Sequence, residues 1–169
     1  MKTTKIILCM TLLLLGVQYS KAQDEMRIGG MLAYGTEVEN IGIGVTAAFP
    51  IMDKMTIAPS FIFYLPKDEF GVKINWFELN ANANYYFLDE GNLDVYGLGG
   101  LNFSSVSVKY DNASIYGSGL SASDGRVGLN LGGGANFDIG TSFLLFSELK
   151  YVIIDQGQLV IAAGVKFSL

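Results

Sequence analysis

Histidine is missing from the chain altogether, and cysteine occurs once, at Cys9. Without imidazole, the usual base for a serine nucleophile and the commonest metal ligand are both gone, which argues against histidine-assisted hydrolysis and ordinary zinc sites. A serine–lysine pair drawing on Lys150 or Lys109 finds no supporting spacing, so neither enzyme activity nor a cofactor is expected. After residue 17 there is also no long apolar run, so nothing in the remaining chain reads as a membrane-spanning helix.

What is present begins with a leader. Lys2 and Lys5 precede an apolar run from Ile6 to Val17, and small residues Ser20 and Ala22 precede Gln23, the three parts of a secretory signal peptide over residues 1–22. The run is too short for a spanning helix, and Leu8 stands before Cys9 where a lipoprotein signal needs a small residue. Cleavage leaves one domain, 23–169, with no thiol. Losing Lys2, Lys5 and Lys21 leaves 8 basic against 16 acidic residues, a formal charge of −8 that argues against a nucleic-acid partner.

The most informative stretch is Asn75 to Phe87. Phe77, Leu79, Ala81, Ala83, Tyr85 and Phe87 alternate with Trp76, Glu78, Asn80, Asn82, Asn84 and Tyr86, an oily face against a wet one. Period-two sorting over this length is a strand, and it is longer than the roughly 5 to 6 residues usual in globular sheets and matches the roughly 9 to 11 that cross a bilayer at a tilt. The rest of the chain divides likewise. Strands are expected at Met26–Gly35, Ile41–Phe49, Met55–Leu65, Asn75–Phe87, Leu93–Ser107, Arg126–Asp138, Ser142–Ile153 and Gln158–Leu169. Pro66 and the charged Lys67, Asp68 and Glu69 are expected to form a loop, and Gly97, Gly99 and Gly100 suggest a bulge that switches faces in the fifth strand.

The pattern predicts an all-β fold, an eight-stranded antiparallel up-and-down transmembrane β-barrel. An even strand number puts both ends on one side, periplasmic in bacterial barrels; the short turns near Asp53, Asp89 and Gly140 fall there, and the longest connection, Val108 to Gly125, falls opposite. Phe49, Tyr85, Phe87, Phe137, Phe143 and Phe167 gather near the periplasmic ends, where an interfacial girdle belongs. A soluble barrel would need its polar face outward, but the polar positions are mostly Gly, Ala, Ser and Asn with few Lys or Glu, unlike a solvated surface.

With its leader, its eight alternating strands and its final strand Leu159 to Leu169, the chain resembles the small outer-membrane β-barrel domain family of the OmpA and OmpX kind, found in Gram-negative bacteria. The resemblance implies an outer-membrane location, outer-membrane lipid as surroundings, and the barrel-assembly machinery as a partner. That machinery would read Val165, Phe167 and Leu169; the family favours an aromatic at or near the chain end, and here it stands two residues earlier, on the same face as Leu169. OmpA-like proteins carry a peptidoglycan-binding domain after the barrel, and none is expected here because the sequence ends with the final strand.

Inside so narrow a barrel side chains fill the lumen. Gly42, Gly44, Ala48, Gly128, Gly132, Gly134, Ala162 and Gly164 face inward as small residues, with Tyr64, Trp76, Tyr86 and Phe146 as large ones. Inward charges balance, Arg27, Arg126, Lys150 and Lys166 against Glu78, Asp94, Asp138 and Glu148, and charges surrounded by lipid must pair or hydrate. Two ion-pair layers are expected: Arg27, Lys166, Asp138 and Asp94 below, and Glu78, Glu148, Lys150 and Arg126 in the middle to outer part. They would plug the lumen or, if the pairs rearrange, gate small ions.

The glycine runs at 97–100 and 132–134 lack the Lys-Ser or Lys-Thr and the following helix of a phosphate loop, so they read as packing positions. Asp111, Asn112 and Asp124 lack calcium-loop spacing, so no metal is expected. On the long loop, Tyr110, Asp111, Asn112 and Tyr116 are the candidates for contact with an extracellular or membrane protein partner. The expected role is non-enzymatic: envelope integrity or a binding platform, with a narrow channel or an accessory subunit of a secretion or uptake complex as alternatives.

Overall fold

The computed structural model describes residues 25–69, 72–110, 121–140, 142–155 and 157–169. Its strands are β1 (Arg27–Gly35), β2 (Asn40–Met52), β3 (Met55–Glu69), β4 (Val72–Glu90), β5 (Leu93–Tyr110), β6 (Ser121–Asp138), β7 (Phe143–Ile153) and β8 (Gln158–Ser168). Each pairs antiparallel with the next, and β8 returns to β1 from Arg27 opposite Ser168 to Gly35 opposite Val160. The chain is a closed eight-stranded antiparallel barrel, and closure pairs the backbone groups that an open sheet would leave along its edges. The leader 1–22 and loop positions 111–120 lie outside the described residues.

Alternation decides the two surfaces. On β4, Glu78, Asn80, Asn82 and Asn84 are buried inside while Leu79, Tyr85 and Phe87 stand exposed outside. Across the outer wall the exposed side chains are large and apolar, among them Leu32, Ile43, Val45, Leu131 and Leu149. Near the end that holds the termini, the belt gains aromatics: Tyr85, Phe87, Phe137 and Phe167 are exposed, and the Phe143 and Phe167 rings meet at 5.8 Å.

The interior is packed. Met31, Ala33, Ile62, Tyr64, Phe146, Val152, Val160 and Ala162 form an apolar cluster across the lumen, with Val38, Trp76 and Ile154 against it. Large residues lie against small ones, because a Cβ built on Gly42 would come 2.8 Å from Ile62, and one on Gly134 would come 2.5 Å from the Tyr96 ring. At the turns, Gly91 (φ 66°) and Gly140 (φ 74°) adopt the left-handed conformation that glycine tolerates best, and Asp138 Oδ1 accepts from Gly140 N at 2.8 Å.

Three expectations are corrected. The connection does not run from Val108 to Gly125, since β5 continues to Tyr110 and β6 begins at Ser121, with Val108 opposite Ala122 and Ser105 opposite Gly125. Lys67, Asp68 and Glu69 are not a loop: they continue β3, paired with Ile74, Lys73 and Val72 of β4. Pro66 does not end the strand because it sits at a register shift between Tyr64 and Lys67, where its missing N–H is tolerated. Nor does β5 carry a bulge at its glycines, since its pairing with β6 runs unbroken from Leu93 opposite Phe137 to Lys109 opposite Ser121. The shift in this region lies on β4, between Tyr86 and Leu88, so Asp94, Tyr96, Leu98, Asn102 and Ser104 keep to the inner face.

Candidate functional site

Glu78 is the centre of the lumen. It is fully buried on β4, and a bare carboxylate there would carry a desolvation cost of several kcal/mol. Both its oxygens are occupied: Oε1 accepts from the Tyr64 hydroxyl at 3.0 Å and from Gln158 Nε2, and Oε2 accepts from Lys150 Nζ at 3.3 Å and Asn102 Nδ2 at 3.4 Å. Lys150 also donates to Asn80 Oδ1 at 2.7 Å, which receives Asn102 Nδ2 and Asn130 Nδ2 at 2.9 Å each. Asn130 Nδ2 reaches Asn82 Oδ1 at 2.7 Å. Five strands, β3, β4, β5, β6 and β8, are thus tied to one ammonium on β7.

A second tier lies toward the end with the termini. The Tyr96 hydroxyl donates to Glu148 Oε2 at 2.9 Å. Lys166 Nζ sits 4.2 Å from the Phe146 ring centroid and 5.5 Å from that of Tyr96, and donates to Asn136 Oδ1 at 3.3 Å. Such cation–π contacts gain strength when desolvated. Asn136 Nδ2 continues the chain to Asp94 Oδ2 at 3.4 Å.

The eight charges therefore sort differently from the expected layers. Glu78 and Lys150 meet directly. Glu148, expected beside them, is held in the lower tier by Tyr96, because it stands two residues down β7 from Lys150 and opposite Gly134, whose missing side chain admits the Tyr96 ring. Arg126 is outside the network: Nε pairs with Asp124 at 2.9 Å on the exposed rim, a kind of pair that contributes only about 0–1 kcal/mol. Asp138 is spent on its turn, and Arg27 stands at the mouth near the termini.

The sequence placed Tyr64 in the lumen only as bulk, did not single out Asn102, Asn130, Asn136 and Gln158 as partners of the charges, and left out Tyr96. The alternating Asn80, Asn82 and Asn84 were the available signal, but their partners become visible only once neighbouring strands are in register.

At the end opposite the termini the strands are unequal. Gly42 opposite Tyr64 is the last pair of β2 with β3, and Leu129 opposite Ile153 the last of β6 with β7, yet β3, β4, β5 and β6 run on. They form a four-stranded extension in which residues 121–128 of β6 pair, among the described residues, with β5 alone. On the β3 side, Asn40 Nδ2 caps the Leu65 carbonyl at 2.8 Å. Val127, on the open β6 side, is 74% exposed. Of the loop candidates, Tyr110 closes β5, whereas Asp111, Asn112 and Tyr116 are outside the described residues.

At the end of the chain, Phe167 and Leu169 are exposed and Val165 half-buried, and Leu169 N donates to Met26 O at 2.9 Å, joining the residue after β8 to the one before β1. Among the described residues no group of three or more acidic or thiol side chains is placed to hold a metal ion.

No protein-family model and no curated protein sequence matches the chain. Solved structures do match. The N-terminal barrel domain of Pseudomonas aeruginosa OprF superposes with a TM-score of 0.68 at 18% identity, over 88% of this chain and 100% of that one. Neisserial surface protein A gives 0.63 at 15% identity, over 85% and 96%. Ail, the attachment invasion locus protein of Yersinia pestis, solved with the heparin analogue sucrose octasulfate, gives 0.58 at 18% identity, over 85% and 97%. The chain shares the fold of these small membrane barrels.

Proposed function

We propose that the chain is a non-enzymatic outer-membrane barrel of a Gram-negative bacterium whose lumen is sealed, and which acts as a binding platform at the cell surface through the extension of β3 to β6. One observation carries this reading: the lumen is closed at mid-height by Ile62, Tyr64, Glu78, Val152 and Val160, each at most 1% exposed. A barrel that transmits nothing through its centre has its ends and its walls left for work. The apolar outer belt supports lipid as its surroundings, and the likeness in fold to OprF, Ail and neisserial surface protein A supports the envelope.

Of the two ends, the extension is the better suited to recognition. Among the described residues, positions 121–128 of its β6 edge ladder with β5 alone, the arrangement by which an extended segment adds to a sheet. The loop candidates Asp111, Asn112 and Tyr116 follow β5 in sequence and precede β6. A photo-crosslinking residue at Val127, installed in the protein on intact cells, is expected to capture a discrete partner, and the same group at Leu131 in the lipid belt to capture none. Equal yields at both positions, or no product at Val127, would contradict the platform reading. If the captured partner co-purifies stoichiometrically after gentle detergent extraction, the platform is a subunit of a larger assembly.

A further inference from the structure

On the outer wall, β5, β6 and β7 leave a groove of about 830 Å³, within the roughly 300–1,000 Å³ usual for ligand sites. It runs obliquely from Phe87 and Val95, near the end that holds the termini, to Tyr151 and Leu159, toward the extension. Gly97 lies directly opposite Gly133, and Ala135 opposite Ser147, so the floor carries little side chain, while Leu131, Leu149, Tyr151 and Ile161 stand exposed around it. Tyr96 and Glu148 border it from the lumen side, their side chains bonded to each other at 2.9 Å.

The barrel's own packing does not call for glycine at 97. A Cβ on the lumen-facing Gly100, Gly132 or Gly134 would meet protein at 2.3, 2.2 and 2.5 Å, whereas one on Gly97 meets nothing within 4 Å. One on Gly99, two residues along the same face, comes no nearer than 3.9 Å. Backbone conformation does not call for glycine either: the positive-φ glycines are Gly91, Gly140 and Gly157, and the pairing of β5 with β6 passes Gly97 and Gly99 without a bulge. Glycine inside a strand costs about 0.5–1 kcal/mol relative to alanine. With bulge, bend and crowding set aside, the remaining reason for it is close approach by something outside the chain.

We propose that the groove is a binding site for one hydrocarbon chain of a membrane lipid. Its walls are continuous with the apolar outer belt, so its occupant comes from what covers that belt. Within lipid, covering an apolar surface brings no hydrophobic gain, and preference rests on dispersion contact. A slender chain lying in the groove touches protein on three sides, whereas one against the convex wall touches it on one. A second copy of the barrel fits less well, because an isologous contact sets groove against groove and fills neither. The inference does not depend on the role of the extension, and the two succeed or fail separately.

The test places the folded full-length protein in phosphatidylcholine vesicles that contain a phosphatidylcholine with a photoactivatable diazirine in the middle of one acyl chain. After irradiation, lipid adducts are mapped by peptide mass spectrometry. They are expected to be severalfold denser on Leu131, Leu149 and Tyr151 than on Ile43 and Val45, which are also exposed on the outer wall but belong to β2, across the barrel. Gly97→Leu fills the floor where there is room for a side chain, so it should cut the groove adducts severalfold and leave those on β2 unchanged. Val45→Phe, which adds bulk to the far wall, should leave the groove adducts as they are. Retention of the compact band on an unboiled denaturing gel shows that each variant has folded. Equal adduct density around the belt, or groove adducts that survive Gly97→Leu, would overturn the proposal. A dimer in detergent that Gly97→Leu abolishes would give the groove to a second copy and overturn it as well.

Discussion

At the scale of single residues, the lumen rests on Glu78 and Lys150, 3.3 Å apart and both buried. Removing one partner of such a pair leaves the other's charge uncompensated, so Lys150→Met should destabilise the barrel by about 3–5 kcal/mol. Combining it with Glu78→Gln should recover much of that loss, because the charges leave together while Tyr64, Asn102 and Gln158 keep a polar partner. Equilibrium unfolding in denaturant with the four proteins of the cycle measures this, and additive losses would show that the pair is not coupled. Glycines give a second test. A Cβ on Gly134 would come 2.5 Å from Tyr96 and 2.7 Å from the Ser147 carbonyl, whereas one on Gly97 meets nothing within 4 Å. Gly134→Ala should therefore cost about 1–3 kcal/mol, and Gly97→Ala next to nothing. The charged residues of the site were legible in the sequence because alternation alone assigns Glu78, Lys150, Glu148 and Lys166 to the inside. Their grouping was not, since it depends on how far each side chain reaches across the lumen: Glu148 is close to Lys150 along β7 but is turned to Tyr96 on the opposite wall.

At the scale of elements, β4 shows why alternation was such a good guide and where it stopped. From Trp76 to Phe87 the two faces meet different surroundings, so hydrophobicity records the pleat. Beyond the belt β3 and β6 no longer alternate oily with polar, and the record fades. Lys67, Asp68, Ser121, Ser123 and Asp124 read as loop residues, although the ladder continues through them. Hydrogen-bonded pairing does not need an oily face. The shift on β4 between Tyr86 and Leu88 lies at the other end, and no glycine or proline announces it, while the glycines of β5 keep their register. The boundary between belt and extension can be located by substitution. Leu131→Arg, in the middle of the outer wall, should cost about 2–4 kcal/mol, and Val127→Arg, at the foot of the extension, about 0–1 kcal/mol. Folding stability in lipid vesicles reads both, and equal costs would mean that the belt reaches into the extension.

At the scale of the whole molecule, two kinds of closure act together. The β1–β8 ladder closes the sheet into a barrel, and the side chains close the barrel into a plug. The first was legible from eight alternating strands, and the second from the size of an eight-stranded barrel with large and small residues in facing positions. What the plug leaves is an outward wall, a four-stranded extension at one end and an acidic mouth at the other. The proposal that the middle is sealed is read out by the conductance of the purified, folded protein in a planar lipid bilayer. A sealed lumen gives a flat baseline with no unitary steps, in the wild type and in Arg126→Gln alike. Reproducible single-channel steps from the wild-type protein would contradict it, because ions would then be passing among side chains as fully buried as Tyr64, Glu78 and Val152.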